Sequence, residues 1–262
     1  MLAITSCGTD NVLTDLIFPV TQDAALGAQL DSQIMSDPTT YPILSRSAYP
    51  QVYTYLEDMR DAILESEDIE NRDQFAWKLT VIDDDVLNAF AAPGGYIYIY
   101  TGLIEFLDNA DDLAGVLGHE IAHADQRHSV DQLIANQGID ILRQLVLGEN
   151  GGGAAAQVVA GLLSLRFSRT DETEADEFSV RYLEETDYAC NGAASFFIKL
   201  EEQDTTGGGT PEFLSTHPDP DNRVEYINTI ADMENCDRTA ITETGSYTYS
   251  DLKADLRSTD AE

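Results

Sequence analysis

The chain has 262 residues, a length that fits one domain or two small ones. Forty-eight acidic residues against 14 basic ones leave a net charge of −34, which excludes a nucleic-acid binder that must neutralise phosphates and disfavours docking on anionic lipid. The rest is ordinary for a globular protein, with 43% hydrophobic and 24% charged residues.

The acidity has its own pattern. Asp outnumbers Glu 29 to 19, and only three lysines occur, Lys78, Lys199 and Lys253. Such a surface resembles those of proteins from salt-loving organisms. Charge of one sign repels the compact state, so the thermal midpoint should rise from low to near-molar salt as repulsion is screened. A midpoint that stays flat or falls across that range would contradict the expectation.

At the N-terminus, residues 1–20 are expected to form a lipobox-like segment and tether, with residues 21–262 a single domain. Ile4-Thr5-Ser6-Cys7 resembles a bacterial lipobox. That implies a lipid on Cys7 and a periplasmic or cell-envelope location, with a soluble secreted protein as the alternative. Cys190 and Cys236 then remain as an even pair, which an oxidising compartment would allow to bridge. No stretch approaches the roughly 18–20 apolar residues of a membrane helix.

Helical spacing of Leu26, Leu30 and Ile34 predicts a helix over 21–35, and that of Val52, Leu56, Met59 and Ile63 another over 47–65. The period then changes. Residues 77–82 and 96–100 have strand composition, and residues 88–95, Asn-Ala-Phe-Ala-Ala-Pro-Gly-Gly, connect them. Helices follow over 102–107, 110–127, 130–147, 154–167, 170–185, 191–202 and 221–233, with glycine-rich breaks at 148–153 and 205–210. The fold class is α+β: a mainly helical domain with a small antiparallel sheet.

Within the helix over 110–127 stands His119-Glu120-Ile121-Ala122-His123. Four residues make just over one turn, so both imidazoles project from one face and can share a cation. Glu120 lies beside that face, in reach of a water on the metal. Catalytic zinc needs a third protein ligand and an open position. The Gly and His that would extend the motif are replaced by Gln126 and Ser129, so a carboxylate from a later helix is required. In residues 170–185, Glu172, Ala175, Asp176, Ser179, Tyr182 and Leu183 share one face, opposite Glu174, Glu177, Arg181, Glu184 and Glu185. Glu172 is therefore the expected third zinc ligand. Asp176 is expected to accept the free ring N–H of a ligating histidine, and Glu174 to be surface charge. His128, about 140° around the helix from His123, is expected to have a packing or salt-linked role.

Together, His119–His123, Glu172 with Asp176, and the 88–95 block resemble the zinc metallopeptidase family forty-eight, the group of HtpX, BepA, Oma and CAAX-processing proteases. Tyr98-Ile99-Tyr100-Thr101-Gly102-Leu103 and Ser215-Thr216-His217-Pro218, with Arg223 following, resemble further elements of that family. The resemblance spans about residues 22–233. It implies one Zn2+ per chain, endopeptidase activity, a gluzincin-like fold and a compact lipoprotein-type member. It also places the loop of His217 beside the metal cleft.

There an imidazole can donate to the oxyanion or occupy the open metal position and block it. A catalytic donor role is the working expectation. Substrate backbone is expected to pair with an exposed edge strand at Ala91, Ala92, Pro93, Gly94, Gly95 and Tyr96. That mode suits protein or peptide substrates that are unfolded or misassembled. The competing reading is a zinc-bound chaperone or scaffold with little turnover, against which the intact Glu120 argues.

Overall fold

The computed structural model describes residues 14–149, 152–205, 211–218 and 222–257. The lipobox-like residues 4–7 with Cys7, and parts of both glycine-rich breaks, lie outside the described residues. Helices α1 (Asp23–Met35) and α2 (Pro50–Leu64) bury the faces set by their apolar spacing: Leu26, Leu30 and Ile34 on one, Val52, Leu56, Met59 and Ile63 on the other. Pro50 opens α2, where a missing N–H costs no helical bond.

Three strands follow: β1 (Lys78–Ile82), β2 (Ala89–Ala92) and β3 (Tyr96–Tyr100). The described sheet has the order β1-β3-β2, with β1 parallel and β2 antiparallel to β3. It is thus mixed rather than wholly antiparallel, because the β2–β3 hairpin places β3 in the centre, running with β1. Strand β2 lies inside the segment read as a connector. Four residues, three of them alanine and none β-branched, carry little strand signal. Side chains alternate across the sheet. Leu79, Val81, Ala89, Ala91, Ile97 and Ile99 enter the larger core, whereas Ile82, Phe90, Ala92, Tyr98 and Tyr100 enter a smaller one.

The helices are α3 (Thr101–Phe106), α4 (Ala110–Asp125), α5 (His128–Gln137), α6 (Ile139–Val146), α7 (Gly152–Leu163), α8 (Arg169–Leu183), α9 (Gly192–Thr205), α10 (Glu212–Thr216), α11 (Arg223–Glu234) and α12 (Tyr249–Arg257). The helix expected over 130–147 is two, α5 and α6. Gly138, at φ 83° and ψ 143°, adopts a conformation open essentially to glycine alone and breaks the run. Every residue of α4 is buried. Its N-cap, Asn109, accepts from the Asp112 N–H at 3.0 Å. Helix α9 crosses so close that a Cβ on Gly115 would stand 2.0 Å from the Ala193 nitrogen, so only glycine fits there.

Residues 14–20, read as part of a tether, instead pack against the domain. Phe18 is fully buried in the smaller core, and its carbonyl accepts from Arg127 Nη2 at 2.7 Å. Arg127 also pairs with Asp23 and Asp15. Among the described residues no helix is long and apolar enough to cross a membrane.

Cys190 and Cys236 form a disulfide that ties the start of α9 to the end of α11, across 46 residues. Closing such a loop is worth up to about 4 kcal/mol in the chain-entropy model. Reduction should therefore lower the unfolding midpoint. Intact mass with and without reductant checks the bond, and two alkylatable thiols at these positions in native protein would refute it.

Candidate metal centre

Helix α4 carries His119 and His123 one turn apart, with their Nε2 atoms 3.0 Å from each other. Helix α8 lies alongside. Its start is set by a capping box in which Ser168 Oγ accepts from the Asp171 N–H and Asp171 Oδ2 from the Ser168 N–H. This fixes the phase of α8, so that Glu172, Ala175, Asp176, Ser179, Tyr182 and Leu183 are buried while Glu184 and Glu185 are exposed. Glu172 enters the cluster with Oε1 3.5 Å from His123 Nε2 and Oε2 3.5 Å from His119 Nε2.

His217 comes from the opposite side. Short helix α10 occupies what was read as a loop, and His217 caps its end. The His217 ring stacks on Phe213, with centroids 4.3 Å apart. Its Nδ1 is 3.1 Å from Glu172 Oε1 and 3.4 Å from His119 Nε2. Donor atoms of His119, His123, Glu172 and His217 thus lie within 4.8 Å of one another, all buried. Zinc with bonds of about 2.0–2.1 Å has tetrahedral ligand–ligand edges of about 3.3 Å. Several separations, at 3.0–3.5 Å, match such an edge, while the set as a whole lies within 4.8 Å. Imidazoles and one carboxylate are also the donor types zinc takes.

Around this cluster stands a charged shell. Asp176 Oδ1 is 3.0 Å from His119 Nδ1, the contact anticipated from helical phase. Arg223 donates to both oxygens of Asp176, at 2.6 and 2.8 Å, and pairs with Glu172 Oε2 at 2.9 Å. Its guanidinium also lies 3.9 Å from the Phe197 ring centre. Sequence reasoning placed Arg223 in a family element without assigning it this work. Burial raises the Glu172 carboxyl, but the charges of His217 and Arg223 outweigh it and hold the group well below its ordinary range. Burial pushes His123 well down, which favours the neutral ring that a ligand must present.

Glu120 is fully buried beside the cluster, and burial raises its pKa. Neither of its oxygens has a hydrogen-bond partner among the described residues, and Oε1 is 3.5 Å from His217 Nε2. A buried carboxylate without partners costs stability. This one is held where a proton can be taken up.

The edge-strand expectation needs correction. Tyr96 belongs to the central strand β3, where both sides are paired. Pro93, Gly94 and Gly95 form a buried turn tucked under α1, the Pro93 carbonyl facing Gly27. Among the described residues, β2 has an outer side without a paired strand, whereas β1 is covered by the Leu44 N–H bonding the Val81 carbonyl at 2.9 Å. Ala91 and Ala92 are themselves buried, and the Ala91 carbonyl accepts from Ser129 Oγ at 2.8 Å. The edge is therefore not exposed in this conformation. The segment bearing His217 is held nearby by backbone bonds, Phe213 N–H to the Leu87 carbonyl and Phe167 N–H to the Thr216 carbonyl.

Glu174 is likewise not simple surface charge. It is half-buried, and its Oε2 lies 3.1 Å from His128 Nε2.

Residues 50–231 match the profile of Peptidase family M48. The chain belongs to that family. Its M48 relatives include the mitochondrial metalloendopeptidase OMA1 of Schizosaccharomyces pombe, 32% identical over 154 residues, covering 58% of this chain and 45% of the relative. A putative beta-barrel assembly-enhancing protease of Vibrio cholerae is 31% identical over 156 residues, or 55% of this chain and 32% of the relative. The beta-barrel assembly-enhancing protease of Escherichia coli is 29% identical over the same length. The chain thus spans less than half the length of the curated relatives it matches.

Proposed function

We propose that this M48 peptidase is a zinc-dependent metalloendopeptidase that cleaves unfolded or misassembled proteins of the cell envelope. One observation carries the reading. Four buried donors of a type that zinc takes converge next to a buried carboxylate that has no hydrogen-bond partner among the described residues. His119, His123 and Glu172 would hold the ion. Zinc bound there supplies Lewis acidity and an acidified water. Glu120 takes the proton from the attacking water and passes it to the leaving amine, and its raised pKa suits a group that must both accept and return a proton. Asp176 and Arg223 hold His119 and Glu172 in place.

The names of the bacterial relatives refer to beta-barrel assembly, which supports an envelope setting. A lipid on Cys7 would keep the domain at that site, and the acidic surface suits a high-salt milieu. Digestion of casein, abolished by a chelator and restored by zinc, tests the activity. Zinc bound without any cleavage would favour the scaffold reading instead.

Two observations favour blocking over oxyanion donation for His217. Its Nδ1 lies among the ligand atoms, and the whole cluster is shielded from solvent. The segment bearing His217 is tied beside the cluster through the Leu87 carbonyl and the Phe167 N–H, which holds the imidazole among the ligand atoms. His217→Ala should therefore raise turnover on casein. A loss of about 10²–10³-fold would mark an oxyanion donor, and a change within about threefold, well inside that effect, would defeat both roles.

A further inference from the structure

Helix α4 ends at Asp125, two residues short of the extent predicted, and this changes what His128 can do. Arg127 takes a left-handed conformation, φ 63° and ψ 23°. The chain reverses there, so the rotation of 140° that would carry His128 away from His123 on a continuous helix does not apply. His128 instead opens α5 and folds back over the last turn of α4. Its ring meets that of His123 at 74°, centroids 4.9 Å apart, and it is only 3% exposed. Nδ1 of one faces Nδ1 of the other at 2.9 Å.

We propose that His128 and Glu174 form a positioning relay that fixes the tautomer and orientation of His123 for zinc. The inference rests on the metal reading above and adds residues to it. A ligating ring nitrogen carries no proton, and Nε2 of His123 is the atom that faces His119 and Glu172. The proton of the neutral ring is then on Nδ1, directed at His128 Nδ1. For that atom to accept, His128 must carry its own proton on Nε2. There, 3.1 Å away, lies the Glu174 carboxylate. Each proton along Glu174–His128–His123 thus has one place to be. His119 is held by a carboxylate directly, through Asp176. His123 reaches its carboxylate through a second imidazole. Partners of this kind orient the ring and raise its basicity as a ligand.

Zinc affinity measured by competition with a chromophoric chelator tests the relay in four variants. His128→Leu should weaken zinc by about 10–100-fold, the range found for outer partners of ligating histidines. His128→Asn should recover most of that loss, because its amide oxygen can accept near the position of Nδ1. A merely structural role would rank them the other way, since Leu fills the buried site with apolar surface. Glu174→Ala, at a half-exposed position where folding is not at stake, should weaken zinc by a smaller factor, and Glu174→Gln should restore it.

Thermal midpoints of the zinc-free variants identify any that fail to fold. If His128→Leu is one of them, the two Glu174 variants decide. Parent-like affinity in His128→Leu, equal affinity in His128→Leu and His128→Asn, or no difference between the two Glu174 variants would overturn the relay while leaving the centre intact. Failure of the parent to bind zinc would remove both.

Discussion

Glu120→Gln protein should keep its zinc and lose peptide-bond cleavage by about 10²–10⁴-fold or more, the contribution of a positioned general base. The carboxylate is not among the converging donors, so its loss removes no ligand. It removes the proton acceptor. Glutamine has the same length and volume, and it fills a site that is fully buried. It also replaces an ionisable group that lacks any hydrogen-bond partner among the described residues. Removing such a group relieves a desolvation cost. The variant should therefore be at least as stable as the parent while being nearly inactive. Few substitutions separate those two quantities so cleanly. Zinc content, thermal midpoint and casein turnover on the same preparation check it. Parent-like turnover would sink the mechanism.

Much of the centre could be read from residue spacing because both helices that build it are regular where it matters. His119 and His123 need only one turn of α4. Glu172 and Asp176 need only the phase of α8, which its capping box starts on time. What was misread depends on where regular structure stops. The salt-linked role expected of His128 holds, through Glu174, but its place away from His123 came from extending α4 through a left-handed Arg127, a break that no glycine or proline signals. Glu174 sits on the outer side of α8 by phase, yet α5, turned back by the same residue, brings His128 to it. Strand β2 escaped notice because its pairing with β3, from Ala89↔Ile99 to Ala92↔Tyr96, is tertiary and its alanines are not strand-formers. Gly138 was visible as a glycine, but one glycine inside a helical pattern does not by itself require a break.

Glu172→Ala should abolish stable zinc binding, a loss well beyond the about 10–100-fold of an outer partner such as Asp176→Asn. Two histidines one turn apart hold a cation weakly, and His217, a neutral donor on a separate segment, is a poorer partner for a dication than the anionic carboxylate from α8. The same carboxylate balances charge in the metal-free protein. Glu172 Oε2 pairs with Arg223 at 2.9 Å, and Oε1 lies 3.1 Å from His217 Nδ1. Alanine removes one carboxylate from Arg223 and keeps the contact with Asp176, so some stability should be lost together with the metal. Glu172→Gln separates the two effects. Its amide oxygen still faces Arg223 and fills the same volume, but it brings no charge to the ion, so zinc should be lost with less change in the unfolding midpoint. Glu174→Ala, two residues away on the same helix, should retain zinc at reduced affinity. Metal analysis of the dialysed variants decides the assignment. If Glu174→Ala loses the ion and Glu172→Ala keeps it, the third ligand has been assigned to the wrong face of α8.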